Sequence, residues 1–237
     1  MPGLGEPRND PVEVRWLRRR LFAWGKAHYR DFPWRRDRDP YRSLVTEILL
    51  KQTRADGVER VRFQLLTKYP SSTTLGNASR REIESVIASL GFGHQRAAQL
   101  QALGRALREA PIPHTPAKLA RLPGIGPYAA AATSCFAFGL REIALDVNVA
   151  RIIGRIYGVE PNRGELRKNR DVVRFGHSLI DGVNPRGLNW ALLDLGALVC
   201  RPKPKCRQCP VQEGCWFARS RQNSARGGSI FEVGSSA

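Results

Sequence analysis

Apolar residues recur along this chain at helical spacing. Between Val12 and Tyr29, Trp16, Leu17, Leu21, Phe22 and Trp24 are set among arginines, which predicts an amphipathic helix. Pro40 is suited to a first helical position, and Leu44, Val45, Ile48 and Leu49 follow on one face. Ser79 and Glu82 have the spacing of a capping box ahead of Ile83, Val86, Ile87 and Leu90. Gly91 and Gly93 interrupt the pattern before another helix with Leu100, Leu103 and Leu107. Further helices are predicted at Pro116 to Arg121, Ala129 to Phe138, Asn148 to Tyr157, Asp171 to Asp181 and Asn189 to Val199. No pair of alternating strands stands out, so the expected fold is all-α. The turn-rich residues 1–11 and the Gly/Ser-rich residues 220–237 read as mobile ends.

Charge changes the picture. Of the 237 residues, 39 are Lys or Arg and 21 are Asp or Glu, a formal charge of +18. That excess points to a polyanionic partner. No apolar run reaches the roughly 18 residues of a membrane span and no signal-peptide core follows Met1, so an intracellular protein is expected.

Candidate chemistry sits in two places. In LPGIGPYAAAA, Leu122 to Ala132, Gly124 and Gly126 flank Ile125 in a tight turn that opens onto a helix. Glycine lets another backbone approach closely, and a helix start offers unpaired N–H groups at a positive dipole end. Together these make a seat for an anion that needs no cationic side chain. Farther on, Cys200, Cys206, Cys209 and Cys215 form C-x5-C-x2-C-x5-C. Four thiolates so close can wrap a [4Fe–4S] cube or a zinc ion. Cys135 stands apart and reads as a small core residue.

These motifs share one resemblance. LPGIGPY resembles the helix-hairpin-helix of the DNA glycosylase superfamily that includes endonuclease III and MutY. LDVNVARI supplies the aspartate, Asp146, that follows the hairpin in those enzymes. FPWRRDRDPYRSLVTEILLKQT, Phe32 to Thr53, resembles the first helical segment of the MutY branch, and NWALLDLGALVC, Asn189 to Cys200, the helix leading into the family's iron–sulfur loop. The likeness runs from about Val12 to Arg219. It implies two helical lobes: a bundle carrying the hairpin, residues 30–145, and a cluster lobe made of 12–29 with 146–219. It also implies a [4Fe–4S] cluster on the four cysteines, although the first gap here is five residues where the family usually has six.

The resemblance assigns roles. Asp146 would stabilise the positive charge that develops on the sugar as an N-glycosidic bond breaks; on the residues alone it reads first as a cap for the next helix. Glu47, flanked by Leu44, Ile48 and Leu50, would be partly desolvated, favouring its protonated form, and would contact the flipped base and deliver a proton. Tyr128 stands where bifunctional relatives carry an imine-forming lysine, so strand cleavage is not expected. Gly124, Ile125 and Gly126 would hold the DNA backbone. Lys51 and Gln52 would fill the gap or contact the orphaned guanine, and His94 and Gln95 would wedge the strand. Arg35, Arg36, Arg38 and Arg54 are candidate phosphate contacts.

Within the MutY branch the chain looks like the short thymine mismatch glycosylases, which lack MutY's extra C-terminal domain; 22 residues follow Cys215 here. Gln52 is the departure, being more like MutY. The expected activity is removal of thymine or uracil opposite guanine by a monomer acting on double-stranded DNA, in the cytoplasm or nucleoid. An adenine glycosylase, or a non-catalytic iron–sulfur protein that binds DNA, are the alternatives.

Overall fold

The computed structural model describes residues 11–108, 111–159 and 166–227. Those residues form helices and connecting turns, with no strand among them. They fall into two compact units, one formed by Arg30–Ala144, the other by the described residues up to Tyr29 and from Leu145 onward.

The first unit holds α2 (Pro40–Leu50), α3 (Ala55–Lys68), α4 (Ser72–Asn77), α5 (Arg80–Ile87), α6 (Gly93–Ala106), α7 (Pro116–Leu119) and α8 (Pro127–Phe136); α1 (Pro11–Ala27) belongs to the other unit. Its core draws on every one of these seven helices, with Leu44 and Ile48 of α2, Leu65 of α3, Leu75 of α4, Ile83 of α5 and Leu100 of α6 all closed to solvent. Each such side chain contributes about 1.5–3 kcal/mol by leaving water. At the α4–α6 contact the backbones touch: a Cβ added at Gly104 would lie 2.5 Å from the Gly76 nitrogen. The Ser79–Glu82 capping box is present in both directions, and those hydrogen bonds hold the Glu82 carboxyl below its usual range.

The second unit packs α1 with α9 (Val147–Tyr157), α10 (Arg170–Ile180), α11 (Pro185–Leu198) and α12 (Trp216–Gly227). Gly25 lets α1 lie against Ala191 of α11, where a Cβ would come within 2.7 Å. Arg18 of α1 reaches the end of α10, donating to the carbonyls of Ser178 and Leu179 and satisfying groups the helix itself leaves open.

Several boundaries differ from the sequence reading. Helices α3 and α4 were not expected: α4 is six residues long with Leu75 as its one large apolar side chain, and α3 carries Val58, Val61, Leu65 and Leu66 at helical spacing among charged residues. Helix α8 starts two residues early because Pro127 occupies its first turn, and α11 starts a turn early because the Asn184 side chain accepts from Gly187 N. The stretch after Arg219 continues as α12 to Gly227, whereas a mobile tail was expected from residue 220. Residues 1–10 and 228–237, the rest of the predicted loose ends, lie outside the described residues.

Candidate DNA-binding and catalytic residues

Helix α2 presents the first acidic candidate. The Asp39 side chain caps it, accepting from Arg42 N at 3.0 Å. Glu47 lies on its packed side and is only 6% exposed. One turn on, the Lys51 ammonium donates to the carbonyl of Gly124. Burial pushes its pKa down, the charge of Glu47 pulls it back up, and Arg96 lowers it further. Lys51 is thus tied to the hairpin rather than free to fill a gap in the duplex. The segment before α2 is anchored from behind: Arg62 of α3, largely buried, donates to Asp37 Oδ2 at 2.6 Å and to Thr46 Oγ1 at 2.7 Å. Arg35 is 4% exposed, so its expected contact with phosphate does not fit, whereas Arg36, Arg38 and Arg54 are exposed.

The hairpin connects α7 to α8, and its two glycines answer different needs. Gly124 has φ +74°, and a Cβ there would meet Gln99 at 3.0 Å and Ile48 at 3.3 Å. Gly126 has φ −91°, open to any residue, yet a Cβ there would meet nothing within 4 Å. The first glycine is required by the turn; the second leaves an open approach to the start of α8. Ile125 is buried in the core, so only its backbone is available to a ligand. Tyr128, in the first turn of α8, packs half-buried against that core.

Two further loops carry unusual backbone. Among the described residues, Gln52 (φ +51°) and Phe92 (φ +61°) are the non-glycine residues in the left-handed region. Such conformations cost on the order of 1 kcal/mol or more and persist where surroundings enforce them. Both side chains are exposed, Phe92 at 62%. Phe92 was missed in the sequence; an aromatic between Gly91 and Gly93, just ahead of a helix, was the available signal. His94 and Gln95 follow it, exposed, in the first turn of α6, with His94 Nδ1 3.6 Å from Glu84 Oε2.

The second acidic candidate belongs to the other unit. Asp146 caps α9, its Oδ1 accepting from Asn148 N at 2.8 Å and Val149 N at 2.7 Å. Its Oδ2 accepts from the Asn148 amide at 2.9 Å. The capping role is therefore real, and it also orients the carboxylate. From Asn148 the network continues: Arg151 donates to Asn148 Oδ1 and to the Cys200 carbonyl, and Arg155, one turn on, donates to Cys200 Sγ at 3.4 Å. Nothing in the spacing of V-N-x-x-R had marked Arg151 and Arg155 as supports of the cysteine loop.

None of the four cysteines of that loop is in a disulfide. Burial pushes the Cys209 thiol up to about 12, and the negative charges of the other three add to that. Four soft thiol donors beside arginines suit an anionic thiolate cluster. Among the described residues, however, no three ligating side chains converge at metal-binding separation. Cys135 is fully buried in α8. No helix of the described residues is long and apolar enough to cross a membrane.

The HhH-GPD superfamily model, describing base excision DNA repair proteins, matches residues 45–174, a span that takes in Glu47 and the second half of α2, the hairpin and Asp146. The chain belongs to that superfamily. It is 35% identical over 202 residues to a thymine/uracil-DNA glycosylase of Methanothermobacter thermautotrophicus, covering 83% of this chain and 90% of that protein. It is 33% identical over 226 residues to the human adenine DNA glycosylase, covering 90% of this chain but 41% of that one. Among solved structures, a thermostable thymine-DNA glycosylase superposes with a TM-score of 0.80 at 30% identity, covering 88% of this chain and 98% of that one. The HhH-GPD fold thus accounts for the hairpin and for the all-helical architecture around it.

Proposed function

We propose that this HhH-GPD protein is a monofunctional DNA glycosylase that removes thymine or uracil mispaired with guanine. The observation that carries the proposal is the 35% identity to a thymine/uracil-DNA glycosylase along nine-tenths of that enzyme's length. The chemistry of the residues supports it. Mispaired bases are extruded at lower cost than paired ones, which supplies part of the selectivity. The carboxylate of Asp146, oriented by three donors, faces the charge that develops on the sugar or directs water to it. Glu47 contacts the extruded base and delivers a proton to it. The phenol of Tyr128 forms no imine, so the product is an intact abasic site. The open side of Gly126 and the N–H groups beyond it take a backbone phosphate. Gln52 contacts the base opposite the target, and Phe92, with His94 and Gln95 beside it, wedges the strand.

Cys200, Cys206, Cys209 and Cys215 would hold a [4Fe–4S] cluster. Such a group, when bound, fixes the shape of a basic, DNA-facing loop and takes no part in hydrolysis. The protein acts as a monomer on mismatch-containing duplex DNA in the cytoplasm or nucleoid.

The test is a set of end-labelled duplexes carrying G·T, G·U, A·G, A·8-oxoguanine or thymine glycol. Alkali-dependent breaks at T and U opposite G are expected. Release of adenine instead would favour the second reading, an adenine glycosylase, for which the 33% identity to the human enzyme speaks. Strand cleavage without alkali, with trapping by borohydride, would overturn the role given to Tyr128. Binding without release of any base would leave a non-catalytic DNA-binding protein.

A further inference from the structure

Three loops that the proposed function brings to DNA meet one buried side chain or its immediate partner. Arg96, in the first turns of α6, is 3% exposed. Its guanidinium donates to the carbonyl of Lys51 at 2.7 Å and to Thr53 Oγ1 at 2.9 Å, the residues on either side of Gln52. It also donates to the carbonyl of Gly91, the residue before Phe92. Lys51 in turn donates to the carbonyl of Gly124, at the hairpin's left-handed corner. The two non-glycine left-handed residues described in the molecule are thus each held by the same arginine.

The chemistry explains why an arginine is used. A guanidinium offers five donors in a rigid planar fork, so one side chain can bind two loops at fixed angles, which an ammonium cannot do. Its acceptors here are neutral oxygens. It is held by geometry rather than by a salt bridge. A left-handed Gln or Phe left without such bonds would relax toward the ordinary regions and carry its side chain away from its present direction.

We infer that Arg96 and Lys51 are positioning residues that lock the Gln52 turn, the Phe92 loop and the hairpin into a single strand-opening surface. The inference rests on the proposed glycosylase activity and deepens it: the strap acts at base extrusion and not at bond breakage. Neither residue touches the reacting atoms. Their loss slows only substrates whose target base must be forced from the helix.

The experiment compares two substrates under single-turnover conditions at saturating enzyme: thymine opposite guanine, and thymine in a bulge, where no partner has to be left behind. Arg96→Gln is expected to slow release from G·T at least tenfold and from the bulge by less than threefold. Lys51→Met is expected to show the same pattern in weaker form, and Arg96→Lys to fail to restore the G·T rate. Hydrogen exchange on the free proteins gives a readout independent of activity: in Arg96→Gln the amides of 51–53 and 91–93 should speed up together. Equal losses on both substrates, no loss on either, or exchange that changes in neither segment would overturn the inference. If Arg96→Gln does not fold, Lys51→Met decides by the same two rates and by faster exchange at 51–53 and 124–126, the segments its own hydrogen bond joins. Wild-type protein that releases thymine from neither substrate would instead overturn the underlying glycosylase reading, and the inference with it.

Discussion

The two units hold their loops with the same tool under different conditions. In Arg30–Ala144, Arg96 is buried and bonds only to oxygens that the fold itself supplies. In the other unit, Arg151 and Arg155 are only partly buried and bond to a loop built around four thiols. The first arrangement stands on packing alone. The second joins α9 to the carbonyls and one thiol at the start of the cysteine loop. An arginine fork is equally serviceable in both places; what differs is whether its acceptors belong to loops seated on a core or to a loop that carries four cysteines.

The sharpest way to break this contrast begins at Asp146, the residue at which the network from the cysteine loop ends. Asp146→Asn keeps an efficient helix cap, so stability should change by less than about 0.5 kcal/mol. Base release should nonetheless fall about 10³-fold, since the substitution removes the charge proposed to act on the sugar. Thermal melting beside single-turnover kinetics checks both, and a large loss of stability would show that the cap was the main role.

Next come the glycines of the packing-dependent unit. Gly104→Ala pushes a methyl into the backbone of α4 and should cost about 3 kcal/mol or more in chemical denaturation. Gly126→Ala meets no neighbour, so its stability effect should stay below about 1 kcal/mol. Its cost should appear as weaker affinity for duplex DNA. Unchanged affinity would remove the phosphate from this seat.

A smaller effect separates the two loop systems directly. Cys206→Ser should raise hydrogen exchange across residues 199–215 by on the order of tenfold while leaving α6 and the hairpin protected. A matching rise in both units would mean that the thiol loop supports more than its own surroundings.

The smallest is a pH effect that each unit shows through a buried tyrosine. Burial pushes the Tyr157 hydroxyl up to about 12, and it raises Tyr41 as well. A pKa raised in the folded state stabilises fully below the unfolded value near 10, and that contribution is lost as pH rises through the folded value. Tyr157→Phe should therefore flatten the fall in stability between about pH 10 and 12, measured by urea denaturation, and leave it unchanged at pH 7.

Much of the scaffold was legible in the chain. The α5 capping box, Pro40 at the start of α2 and the heptad-like apolar rows of α9 and α10 are local signals, because a cap or an apolar face is written in residues three or four apart. The glycine turn and Asp146 as a helix cap were legible for the same reason, whereas the chemical role given to Asp146 came from the likeness to the glycosylases. Helix α3 was missed although Val58, Val61, Leu65 and Leu66 fall at helical spacing, because charged residues separate them and no side chain caps its start. Arg35 and Arg96 look alike in sequence to the arginines that remain in water; nothing local shows that both are buried.

The sequence by itself determined the helical class, the glycine turn and the spacing of the four thiols, each fixed by bonds or sterics within a few residues, while the acidic candidates came from the likeness to the glycosylases. Tertiary structure alone decided which arginines leave solvent, that Lys51 serves the hairpin, and that Gln52 and Phe92 adopt left-handed backbone. Those outcomes arise from hydrogen bonds between residues tens of positions apart, such as Arg96 with Lys51 and Lys51 with Gly124, and no local pattern encodes a partner that only folding brings near.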